Sequence, residues 1–196
     1  MTIKPINVDL IASLHQECIT TWEHKKEITV HDPLLQIILQ NHRCNFDLWQ
    51  TEDEARRDDK GPTLVYEAKR KIDKFNQQRN DKVEAIDQLL VEMYQPSSDI
   101  NCPIHSETPG MMIDRLSILS LKQFYMHKQT HRTDVKPEHR EQCQAKYAIL
   151  QQQHAQLLRC LDELLTEVDA KKRTFRVYYQ MKMYNNPELN PHLHRK

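Results

Sequence analysis

Glycine is almost missing from this chain: Gly61 and Gly110 are the only two in 196 residues. So few leave little raw material for tight β-hairpin turns or for a glycine-rich loop that cradles phosphate. Net charge is missing too, with 28 basic residues against 28 acidic ones. A balanced chain has no overall positive field to draw in a polyanion, so nucleic acid is not an expected partner, local patches apart. No Cys-x-x-Cys occurs, and the five cysteines (Cys18, Cys44, Cys102, Cys143, Cys160) are odd in number and widely spaced. Reduced thiols in a cytoplasmic protein are the expectation. No apolar run approaches the ~18 residues that span a bilayer, and the start lacks a signal-peptide core, so no membrane span is expected.

What the chain has in quantity is Gln, Lys, Glu, Leu and Arg, the material of long amphipathic helices. The predicted fold is all-α: a single-domain bundle of five or six helices with long antiparallel central helices, over residues 1–184, followed by an irregular tail at 185–196. Residues 6–24 carry Ile11, Leu14, Cys18 and Trp22 on one face. Asp32 before Pro33 is an N-cap with proline at the first helical position, opening a helix to about Arg57. Asp58 to Pro62 is a short turn, which makes the next helix, to about Tyr94, an antiparallel neighbour. Gln95 to Ser106 is the longest loop. Thr108-Pro109 opens a fourth helix, and a fifth from about Pro137 repeats Cys143, Tyr147, Leu150, His154, Leu157, Leu161, Leu164 and Val168. Those heptads suit either a bundle-spanning helix or one that pairs with its copy in a homodimer. The aromatic segment Phe175 to Tyr184 is read as an extension of that helix.

The second predicted helix is unusual. Its face runs Leu35, Ile38, His42, Asn45, Trp49, Glu52 and Arg56, starting as core and turning polar. The third does something similar: beside an apolar seam interrupted by Arg79 runs the face Lys69, Asp73, Asn76, Asn80, Glu84 and Asp87. Buried charges must be paired, hydrated or ligand-bound, since each unpaired ion costs several kcal/mol. Two readings stay open at this point. One is a cleft in which arginines grip a phosphate or carboxylate and carboxylates act as acid, base or metal ligand; the other is a structural salt-bridge network.

Simpler chemistries fit less well. A ferritin-like di-metal site needs Glu-x-x-His pairs, and this chain has none. Glu84-x-x-Asp87 echoes half of the acidic signature by which all-α nucleotide pyrophosphatases grip Mg²⁺, but the preceding Glu-x-x-Glu is missing from both central helices, which leaves the cofactor open. His127 and His131 stand at i, i+4 without a third ligand; Cys102, His105 and Glu107 lack a completing set. Cys44 as a nucleophile would need a base. The helix start at Thr108-Pro109-Gly110 is an ordinary cap or an anion site.

Three segments, taken together, resemble a bacterial domain family of unknown function. They are Asn45-Phe-Asp-Leu-Trp49-x-x-Glu52-Asp53-x-Ala-Arg56, Lys69-Arg70-x-Ile-Asp73-x-x-Asn76-Gln77-x-Arg79-Asn80-Asp81-x-x-Glu84-x-Ile-Asp87, and Glu107-Thr108-Pro109-Gly110-x-x-Ile-Asp114-Arg115-Leu-Ser117. The tail from Met181 to Pro191 fits as well, departing at Asn186, where an acidic residue is expected. The resemblance covers about residues 30–191. It implies a cytosolic helical protein connected to surface-glycan (lipopolysaccharide) assembly, because genes of that family often lie among glycosyltransferases, and it implies no particular reaction.

The candidate ligand-binding residues are therefore Asn45, Trp49, Glu52, Asp53, Arg56, Lys69, Asp73, Asn76, Arg79, Asn80, Glu84, Asp87, Glu107, Asp114 and Arg115. Arg56, Arg79 and Arg115 are cast as the anion grip and Trp49 as a stacking ring. The expected ligand is a sugar phosphate or nucleotide sugar. The competing class is a dimeric adaptor that holds a glycosyltransferase partner.

Overall fold

The computed structural model describes residues 6–181 and 188–189. Within them the chain forms α1 (Val8–Glu23), α2 (Pro33–Ala55), α3 (Pro62–Tyr94), α4 (Pro109–Thr130) and α5 (Pro137–Asp169), with one 3-10 turn, Asp58–Lys60, between α2 and α3. The all-α bundle expected from composition is what the chain adopts. Proline opens four of the five helices, where its missing N–H costs nothing. Asp32 caps α2 by accepting from the Leu35 N–H at 2.9 Å, and Thr108 caps α4 by accepting from Met111. Gly61, at φ 86, takes the left-handed conformation that lets the chain reverse after the 3-10 turn.

α2 and α3 run antiparallel, since Glu54 near the end of one faces Lys71 near the start of the other at 3.8 Å. α4 and α5 form a second antiparallel pair, and α1 packs across both. The core joins Ile11, Ile38, Ile86, Leu116 and Leu161, one from each helix and all fully buried. The heptad positions Cys143, His154, Leu157, Leu161, Leu164 and Val168 are buried in this single chain. Most of the α5 seam is therefore spent on the bundle itself, while Tyr147 and Leu150 are only half-buried.

α5 stops at Asp169, and the segment from Phe175 does not extend it. Lys171 enters the left-handed region at φ 58, which turns the chain back. Thr174 then pairs with the 95–108 loop through its N–H to Pro103 O at 2.9 Å and its carbonyl from His105 at 2.8 Å. Phe175 is driven into the core with 1% exposure. The Lys171 ammonium donates to the carbonyls of Tyr94 and Gln95 at 2.6 and 2.7 Å, capping the negative end of α3. Residues 182–184 and nearly all of the tail at 185–196 lie outside the described residues.

Gly110 is required where α4 crosses α3. A Cβ there would stand 2.7 Å from both the Val83 carbonyl oxygen and Asp87 Oδ1. Backbone cannot yield at that distance, so Gly110→Ala should destabilise the protein by about 1–3 kcal/mol. Urea denaturation checks this: the midpoint falls in the variant with the slope unchanged.

Candidate functional site

The polar face of α2 ends on one carboxylate. Asp114 on α4 is 9% exposed, and its Oδ1 accepts from the amides of Asn41 at 2.9 Å and Asn45 at 2.8 Å. Arg79 of α3 brings its Nε to 3.8 Å from the same oxygen. Asn45 also donates to Ser117 Oγ at 2.9 Å, which in turn bonds His42 Nδ1 at 2.7 Å. The other nitrogen of His42 lies 3.0 Å from the carbonyl oxygen of His15. A continuous polar chain thus runs from the centre of the bundle to its surface, ending at a guanidinium.

Outside Asp114 lies a hollow of about 390 Å³ between α2, α3 and α4. Asn45, Trp49, Glu52, Asp53, Arg56, Asn76 and Arg79 line it, all of them candidates from the sequence, together with Leu48, Ile118 and Leu121. Glu52 is tied to Arg56 at 3.0 Å, one helical turn away. Arg79 Nε is buried and has no hydrogen-bond partner among the described residues. Trp49 is not a free platform, because it stacks on Tyr125 with centroids 4.8 Å apart and rings 6° from parallel.

The other candidates go elsewhere. Lys69 and Asp73 pair with each other at 3.1 Å on the exposed side of α3. Arg115 is held by Glu107 at 2.6 Å, next to a different hollow between α4 and α5. Asn80 is half-buried but does not line the hollow. Glu84 accepts from the Gln180 N–H at 2.8 Å. Asp87 is 2% exposed and is spent on the start of α4, accepting the Thr108 hydroxyl at 2.5 Å and the Gly110 N–H at 2.7 Å. Of the two readings of the Thr108-Pro109-Gly110 helix start, the structure has the cap: the Gly110 N–H is answered by Asp87 and the Met111 N–H by the Thr108 hydroxyl. Glu84 and Asp87 are both engaged with protein donors, unlike a pair poised for Mg²⁺. Burial is the main cause that pushes the Asp87 carboxyl up to about 6, with Glu84 adding to it and the two hydrogen bonds opposing it. Among the described residues no group of three or more His, Cys, Asp or Glu converges to hold a metal ion, and no helix is long and apolar enough to cross a membrane.

Some of the network escaped the sequence reading. Ser117 and Asn41 complete the contacts around Asp114, and His15 stacks on His42 with ring centroids 4.4 Å apart. His15 could have been found, since it falls between Ile11 and Cys18 on the buried face of α1. Ser120 and His154 form a separate buried pair at 3.2 Å. Cys44 is buried, and burial pushes its thiol up to about 11, which leaves it a poor nucleophile.

Residues 35–177 match DUF4254, a family described as proteins of unknown function, and the chain belongs to it. No curated protein and no solved structure matches the chain.

The three buried imidazoles make acid the natural denaturant. Burial holds His42 at about 3 and pulls His15 well below 6.5, with the neighbouring His42 and His154 adding to the fall at His15; burial also lowers His154. A base depressed in the folded state stabilises fully above its unfolded value and loses that contribution as pH drops below it. Below about 6.5 each strongly depressed histidine should therefore remove about 1.4 kcal/mol per pH unit. Asp87 acts in the opposite sense between about 4 and 6, and as one group it offsets only part of the loss. Denaturant titrations across this range should show stability falling with acid, and falling less steeply in His42→Gln.

Proposed function

We propose that this member of the DUF4254 family binds an anionic small molecule in the hollow between α2, α3 and α4. The ligand class is a phosphate-bearing sugar or nucleotide sugar of surface-glycan (lipopolysaccharide) metabolism in the bacterial cytoplasm. The glycan setting rests on the sequence resemblance; the anion rests on Arg79. Of the three arginines cast as an anion grip, Arg56 and Arg115 are engaged by Glu52 and Glu107. Arg79 alone keeps an unbonded, buried Nε, because Asp114 already accepts from two amides and stands 3.8 Å away. A buried N–H without an acceptor costs about 1–3 kcal/mol, which an incoming oxyanion recovers.

The rest of the lining suits a hydroxyl-rich body behind the anion. Amides from Asn45 and Asn76, the Asp53 carboxylate and the edge of a locked Trp49 offer donors, acceptors and an apolar wall. The volume of about 390 Å³ is in the range of small-molecule sites, ~300–1,000 Å³. With Glu52 engaged by Arg56, binding is the better-supported role and no reaction is assigned.

A second reading is a non-enzymatic adaptor with a glycosyltransferase partner. The observation that favours it is an apolar groove between α4 and α5.

Isothermal titration with glucose phosphate and UDP-glucose tests the first reading. Arg79→Ala should weaken binding by about 10- to 100-fold, the worth of a charge-assisted hydrogen bond, with an unchanged circular dichroism spectrum. Arg79→Lys keeps the charge without the fork and should recover only part of the loss. If the wild type binds neither compound, or if both variants unfold, the network is structural and the reading is wrong.

A further inference from the structure

Along the seam between α4 and α5, two hollows of about 530 and 630 Å³ follow one another. They share Lys122. The first lies over Met126, Ile149 and Leu150, the second over Ile118, Leu119 and Leu157. Because the first involves the end of α4 and the start of α5, and the second the reverse, they make one straight groove between antiparallel helices. From Arg115 to Gln129 it extends ~21 Å at the α-helical rise. That length corresponds to about four turns of a third helix.

Its floor is apolar and its rim is basic. Ile149 is 53% exposed with nothing packed over it. Lys122 and Lys146 border the first hollow, no acidic residue lines it with them, and neither lysine has an ion-pair partner among the described residues. The one carboxylate at the second hollow, Glu107, is already held by Arg115 at 2.6 Å. An occupant that covers Ile149 and satisfies both lysines must be apolar on one face and acidic on its flanks. A second copy of this chain is a poor fit: its exposed large apolar residues on helices, Leu10, Tyr66 and Ile149, stand one to a helix. No described helix offers a second apolar stripe of groove length.

We propose that the α4–α5 groove is a docking site for an acidic amphipathic helix of a partner protein. Apolar side chains at i, i+4 and i+7 would fill the two hollows, and flanking carboxylates would meet Lys122 and Lys146. The groove adjoins the Arg79 hollow, with Trp49 and Ile118 in the walls of both, but Lys122, Lys146 and Ile149 line only the groove, so variants at these three test it separately.

The test is fluorescence anisotropy on the full chain. The probe is a labelled synthetic peptide of ~18 residues, with leucines on one helical face and glutamates beside them; a control replaces every glutamate by lysine. The acidic peptide should bind saturably and at least ~10-fold more tightly than the basic one, with affinity falling as salt rises. Ile149→Asp, at an exposed position, should weaken it ~10-fold, and the Lys122→Glu/Lys146→Glu double variant should favour the basic peptide. Titration with glucose phosphate should be unaffected in both variants. The proposal is overturned if the acidic peptide does not saturate, or if binding ignores charge or Ile149→Asp. It is equally overturned if light scattering shows self-association that Ile149→Asp abolishes, or if anionic vesicles bind through Ile149 while the peptide does not.

Discussion

A carboxylate buried at the meeting point of three helices must be satisfied from all of them, and Asp114 imposes that condition here. α2 supplies two amides, α3 a guanidinium, and α4 carries the acid itself. A one-turn slip of α2 against α4 would replace one of the two amides by Ile37 or Trp49, the residues next in register. The network thus fixes register between the two helical hairpins, a task that leucine packing alone specifies less sharply. It also determines where polarity emerges at the surface. The hollow lined by Arg79 is where the network ends.

The α3–α4 crossing supports the same geometry from the other side. Asp87 holds the first turn of α4, and Gly110 lets the backbones approach. This places Asp114, one turn further along, against Asn41 and Asn45. Thr108, Gly110 and Asp87 therefore position the site without lining it. Motif residues can be essential to a site for this reason and still never meet a ligand.

Much of the fold was legible because its signals are local. Asp32-Pro33, Gly61-Pro62, Thr108-Pro109 and Pro137 mark helix starts through short-range sterics and capping, and the observed helices begin there. The gradual change of the α2 face from Ile38 to Arg56 was also readable, as was the antiparallel turn that brings Asn45 and Arg79 to one hollow. What the sequence withheld depends on rotation and partner choice between helices. Nothing local says that Lys69 and Asp73 turn outward to each other, or that Glu107 engages Arg115. Trp49 looked like a free platform because its neighbour, Tyr125, lies on another helix. The α5 heptads fit two uses equally well, and only the packed bundle shows that its interior takes most of them.

Two neighbouring surfaces of α4 have separate characters: a polar hollow at the unbonded Nε of Arg79, and an apolar groove with a basic rim. The central claim concerns the first. It is tested most directly by following the Arg79 Nε–H resonance by NMR while glucose phosphate is added. The account predicts that this resonance moves and becomes protected from solvent exchange, while those of Arg56 and Arg115 change little. A response at Arg56 or Arg115 with Arg79 silent would contradict it.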